Sequence, residues 1–189
     1  MLAAQEEGAM PATAQALVTL EEYARLPDRD NGIDLIAGRV VNRPFHSAQH
    51  GLVCGNICGL LGEYRQRRGT GSASLRCGLV IARDPATVTG PDAAFWSDRT
   101  DLPLEHGWPT RPPDAAFEVV DAGEPYSDVM RRVRLLVEFG VGVLWLVDPS
   151  LRSVAEFRGP AVRTFEVSDT LDGGDVLPGF ACKVSDLFA

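Results

Sequence analysis

Residues 141–149 read VGVLWLVDP, an almost unbroken apolar run that stops at an aspartate and a proline. A strand of this composition has no polar side to show to water, so it must lie in a sheet covered on both faces. Just before it, over residues 127–139, Val129, Val133, Leu136 and Val137 recur at helical spacing. Ser127 reads as the cap of that helix, with Asp128 in its first turn. A helix feeding a doubly buried strand calls for a layered α/β architecture.

The rest of the chain supplies the layers. TLEEY reads as a short helix capped by Thr19, with Glu21 and Glu22 in the first turn, where the helix dipole favours acids. IDLIAGRVV reads as a hairpin, Ile33–Ile36 and Arg39–Asn42, around the turn glycine Gly38. HSAQHGLVCGNICGLLGEYRQRRG is a long helix with Val53, Ile57, Leu60, Leu61 and Tyr64 at helical spacing, ended by Gly69 and Gly71. Gly51, Gly55 and Gly59 recur every fourth residue, and this stripe predicts close packing on a sheet or another helix. ASLRCGLVIAR alternates with Leu75, Cys77, Leu79 and Ile81 on one side and reads as a single strand. PDAAFWS and DAAFEVV are two more strands, separated by a long proline-rich charged loop; SVAEFRG and RTFEVSD form an antiparallel pair near the end. The expected fold is α/β with a mixed central sheet flanked by helices: an unstructured lead over residues 1–17, then one domain over residues 18–189.

Composition narrows the classes of function. The 189 residues, 45% hydrophobic and 23% charged, suit one domain with a substantial core. The first residues lack a basic start and an apolar stretch, and no run approaches the roughly 20 apolar residues a membrane span needs. The expectation is a cytoplasmic protein with no membrane partner. Cys54, Cys58, Cys77 and Cys182 have neither zinc spacing nor a reason to pair in that compartment, and read as free thiols. The net charge of −8 argues against tight non-specific grip on duplex DNA while leaving room for a local arginine patch; Lys183 is the sole lysine.

Chemistry enters with the acids. The chain writes Pro-Asp-Ala-Ala-Phe twice, from Pro91 and from Pro113. In DAAFEVV, Ala116, Glu118 and Val120 share one face, so Glu118 stands in the middle of an apolar strand. A carboxylate there is costly unless it is paired or holds a metal. If the two strands are neighbours, Asp92 and Glu118 converge on one hard cation. Magnesium takes few carboxylates and keeps several waters, so two acids and one backbone carbonyl suffice. The structural alternatives are an exposed-face Glu118 on a half-buried strand and a turn role for Asp92 after Gly-Pro. Asp114 reads as the start of a strand, Asp148 as the start of a turn, Trp145 as core, and His46 and His106 as loop residues.

GPDAAF, PPDAAFEVVD, SDVMRRVRLLVEFGVGVLWLVDPSLRSVAEFR and VLPGFACKVSDLF, taken in this order, resemble the bacterial Uma-type family of endonucleases in the PD-(D/E)xK superfamily. The likeness runs from about Val18 to Phe188 and rests on the order of the blocks more than on any one of them. It implies a restriction-endonuclease-like core and Mg²⁺ or Mn²⁺ held by Asp92, Glu118 and the Val119 carbonyl. The superfamily lysine falls where this chain has Val120; in the Uma-type pattern it sits on the following helix, at a position held here by Arg132. Arginine stays protonated, so Arg132 can steady phosphate charge but cannot act as a base. Its structural alternative is a surface pair with Asp128. The resemblance also marks Asp34, where the family favours glutamate, and His50 as accessory site residues; for His50 the alternative is a helix-start residue bonded to a loop.

Three functions fit these residues. The first is a metal-dependent endonuclease acting on nucleic acid, DNA in preference to RNA, as a homodimer. The second is a nuclease-fold binding or regulatory module silenced by the loss of lysine. The third is an interaction protein that uses the fold to dimerise.

Overall fold

The computed structural model describes residues 16–27, 32–43, 46–98, 102–103 and 107–189. His106 and most of the expected unstructured lead (residues 1–15) lie outside them.

The first helix, α1 (Leu20–Tyr23), is capped as expected: Thr19 accepts from the Glu22 N–H, and the Glu22 side chain accepts from the Thr19 N–H. The hairpin β1 (Ile33–Ile36) and β2 (Arg39–Asn42) turns through Ala37 and Gly38, both at positive φ, as a two-residue connection requires. Helix α2 (Ala48–Arg68) starts at the Ser47 cap and stops at Gly69 in the left-handed region. There follow β3 (Ser72–Leu75), β4 (Leu79–Arg83), β5 (Ala86–Thr89), β6 (Ala93–Trp96) and β7 (Ala115–Val119), then α3 (Tyr126–Phe139) and β8 (Val143–Asp148). The chain closes with β9 (Ser153–Arg158), β10 (Ala161–Phe165), β11 (Thr170–Asp172), β12 (Ala181–Lys183) and a 3₁₀ turn, Val184–Phe188.

The central sheet runs β10-β9-β8-β7-β6-β3. Only β7 and β8 are parallel, because α3 carries the chain across the sheet between them; the other pairs are antiparallel. The sheet is therefore mixed, as expected. On one face Phe95, Phe117, Val119 and Trp145 pack under Val53 and Ile57 of α2. On the other, Ala116, Leu144 and Leu146 meet Val129, Val133 and Leu136 of α3. Strand β8 is buried on both sides, and each large apolar side chain enclosed there contributes about 1.5–3 kcal/mol. A second sheet, β2-β1-β5-β4, stands beside the first. No helix among the described residues is long and apolar enough to cross a membrane. All four cysteines are free.

Three local expectations are corrected. Residues 73–83 are not one strand. At Arg76, φ is 48°, and the chain leaves the central sheet for the second one, so Leu75 pairs with Ala93 while Leu79 pairs with Thr89. Leu75 is accordingly exposed and Leu79 buried. Helix α3 begins at Tyr126, one residue early; Pro125 takes the cap position, and Ser127 falls inside the first turn. The glycine stripe is unpacked: a Cβ built on Gly51, Gly55 or Gly59 meets nothing within 4 Å among the described residues. Two residues along a helix is about 200° of rotation, so Gly55 faces away from the side that Val53 and Ile57 press onto the sheet.

Because that space is open, Gly55→Ala combined with Gly59→Ala should stabilise the fold by about 2 kcal/mol. Thermal unfolding should show a midpoint higher by roughly 4–8 °C. A lower midpoint would mean that the stripe is packed against something a single chain does not contain.

Candidate active site

Strands β6 and β7 run antiparallel with Ala93 opposite Phe117, which sets Asp92, the residue before β6, beside Glu118. Both carboxylates are fully buried. Asp92 Oδ2 accepts from the Val119 N–H at 2.9 Å and from His50 Nε2 at 3.2 Å. Arg43 Nη2 lies 3.4 Å from Asp92 Oδ1 and 3.6 Å from Glu118 Oε1, so a single nitrogen reaches both acids. Arg132 Nε donates to Glu118 Oε1 at 2.7 Å, and the other side of the guanidinium is taken by both oxygens of Glu124.

Arg132 is thus not a surface residue. Asp128 pairs with Arg131 instead, and Arg132 turns inward on the stripe of Val129, Val133 and Leu136. Asp92, Glu118, Arg132 and His50 come together. Val119 bonds Asp92 through its N–H. Asp34 stays one step away, on β1 of the second sheet, where its carboxylate accepts from Thr89 Oγ1 at 2.7 Å and lines the same cleft as Arg43. The other acids have structural work: Asp114 accepts from the Ser97 N–H, and Asp148 from the Ser150 and Leu151 N–H groups in its turn.

Four residues were missed in the sequence. Arg43 follows β2 and Glu124 precedes α3, and nothing local marks either as a partner of a distant acid. Asp121 accepts from the Ser47 N–H and hydroxyl, both at 2.7 Å, which ties the start of α2, and with it His50, to the end of β7. His46, read as a loop residue, stacks on His50 with ring centres 3.9 Å apart. The one available signal was Arg132 itself, a charge on an apolar helical stripe.

The electrostatics separate the two acids. Burial acts to raise Asp92, but the His50 hydrogen bond and the Arg43 charge outweigh it and bring the group down to about 2. Burial, reinforced by the nearby Asp92 charge, pushes Glu118 up to about 7 despite Arg132 and Arg43. Burial works against the Arg132 charge too, but Glu118 and Glu124 more than offset it, so the guanidinium stays firmly protonated. An ionised Asp92 can only accept, which puts a proton on His50 Nε2; the other ring nitrogen faces Cys54, whose thiol burial raises to about 12.

These donors fit a divalent cation. Among the described residues Glu118 Oε2 is buried with no hydrogen-bond partner, an acceptor left without a donor. Among the described residues both ring nitrogens of His46 are likewise unpartnered, and His46, His50 and Asp92 each offer a ligand atom within 4.8 Å of the others.

The mixed sheet flanked by helices is a nuclease-like, restriction-endonuclease-like fold. A crystal structure of a "putative nuclease belonging to DUF820" from Anabaena variabilis ATCC 29413 superposes with a TM-score of 0.76, covering 90% of this chain and 97% of the other at 18% identity. The chain belongs to the family described as "Uma2: Putative restriction endonuclease", whose model matches residues 20–185. No curated protein matches it.

Two outcomes follow from the buried charges. Arg132→Met strands Glu118 and Glu124, and chemical denaturation should show a loss of about 3–5 kcal/mol; a loss under about 1 kcal/mol is what a surface pair would give. Glu118 ionises in the fold above its ordinary 4.5, so its contribution to stability is complete below that pH and declines as pH rises towards about 7. Denaturation from pH 4.5 to 7.5 should therefore show the parent losing stability relative to Glu118→Gln, and parallel curves would contradict the upward shift.

Proposed function

We propose that the protein is a metal-dependent endonuclease that hydrolyses phosphodiester bonds of nucleic acid, DNA in preference to RNA. The observation that carries this reading is the pair of buried carboxylates on neighbouring strands, close enough for one Arg43 nitrogen to reach both. Family membership and the nuclease neighbour support it.

In this reading Asp92, Glu118 and the Val119 carbonyl hold the ion, and a divalent cation bound there supplies activated water and offsets charge on the phosphate. Carboxylate and carbonyl oxygens suit Mg²⁺ and Mn²⁺ alike. Arg132, held between Glu118 and Glu124, orients Glu118 and keeps a positive charge at the site; as an arginine it does not serve as the base. Asp34 acts from the outer side of the cleft. His50 orients Asp92 while Asp121 fixes the start of α2. The cleft that shares Arg43 also carries Arg76 and the half-buried Trp108, a cation and an aromatic ring suited to a nucleic-acid strand in a chain whose net charge is negative. A homodimer in the cytoplasm completes the reading, since cutting two strands calls for two sites.

One observation favours a second reading, a nuclease-fold binding module without cleavage: two guanidiniums already neutralise the acids in place of a lysine. Nicking of supercoiled plasmid with Mg²⁺ and with Mn²⁺ separates the two. The endonuclease reading predicts metal-dependent nicking with either ion and a loss of at least about 100-fold in Glu118→Gln. Tight Mn²⁺ binding with no nicking would establish the module instead.

A further inference from the structure

We propose that Arg43 is the resident counter-cation of the Asp92–Glu118 pair, and that a divalent ion enters the site by displacing its guanidinium. The inference rests on the metal-binding reading above and adds what governs the affinity.

The two buried arginines of the site are held differently. Arg132 is fixed from both sides, at 2.7 Å to Glu118 and at 2.7 Å to Glu124 Oε2, the lengths of good charge-assisted hydrogen bonds. Arg43 is loose. Its Nη2 stands 3.4 and 3.6 Å from the two acids, its Nη1 donates to the Gly90 carbonyl at 3.1 Å, and its buried Nε has no hydrogen-bond partner among the described residues. Contacts of 3.4–3.6 Å are ion pairs with little hydrogen-bond character. Arg43 therefore supplies charge at a position between the carboxylates without being locked there.

That position is where an ion shared by the two acids belongs. A divalent cation binds carboxylate oxygen at about 2.0–2.6 Å. With the guanidinium still 3.4 Å from one of the same oxygens, two like charges would face each other in a site sealed from water, where their repulsion is far larger than in solvent. The two cations exclude one another. Arg43 also has somewhere to go: it lines an open cleft with Asp34, Thr89, Gly90 and Arg76, so withdrawal takes it towards the buried Asp34 carboxylate. Arg132 also borders a cleft, but its short bonds to two glutamates hold it where it is.

Calorimetric titration of Mn²⁺ into the metal-free full chain tests this, with Arg43→Met as the main variant and Arg76→Met, an arginine of the same cleft, as the control for long-range charge. Displacement predicts that the Mn²⁺ dissociation constant falls by about tenfold or more in Arg43→Met and by about twofold or less in Arg76→Met. Arg43→Lys keeps the charge on a shorter reach; it should give an intermediate gain and serves if the methionine variant does not fold. Unchanged or weaker binding in the Arg43 variants, or equal tightening in Arg76→Met, overturns the proposal and leaves the metal site standing. Absence of Mn²⁺ binding in the parent and in every variant overturns the proposal together with the metal-dependent reading.

Discussion

Two carboxylates sealed from water on neighbouring strands are the constraint around which this molecule is built. Each buried charge carries a desolvation penalty of several kcal/mol unless its surroundings answer it. Here the answers arrive from four parts of the chain: Arg43 from the end of β2, His50 from α2, the Val119 N–H from β7 and Arg132 from α3. The result is asymmetric. Asp92 collects donors and stays ionised, whereas Glu118, next to it and short of donors, resists ionisation and keeps one oxygen unpartnered. That unevenness leaves an opening for one more positive charge.

The scaffold explains why the asymmetry persists. The register of β6 on β7 sets the acids side by side, and the parallel step from β7 to β8 forces the crossover that lays α3, with Arg132, over the face Glu118 occupies. Asp121, directly beyond β7, grips Ser47 and so fixes where α2 begins and where His50 points. The β1–β2 hairpin belongs to the second sheet, and Arg43 leaves it to reach the acids. The site is assembled between two sheets and two helices, with its loosest member coming from the outer sheet.

Much of this was legible in the sequence wherever the signal is local. Turn residues and period-2 alternation place the hairpin, β6 and β7 well, and the apolar run of β8 announces burial on both faces. Helical periodicity identifies which residues of α2 share a side but not what lies opposite, hence the misreading of Gly51, Gly55 and Gly59. The break at Arg76 is a change of sheet, a tertiary event that leaves the alternation of residues 73–83 intact in the sequence. Asp92 and Glu118 stand out because an acid on or beside an apolar strand needs a reason. Their partners do not: Arg43 meets Asp92 across 49 positions, and an arginine after an edge strand looks the same whether it faces water or a buried acid.

The proposed function requires Asp92 and Glu118 to share one cation position. A crystal of the protein grown with Mn²⁺, with data collected at the manganese absorption edge, measures this directly. One anomalous peak within coordination distance of both carboxylates is expected, with the Arg43 guanidinium moved off them. A peak bound to neither acid, or acids still clasped by Arg43 at saturating Mn²⁺, would contradict it.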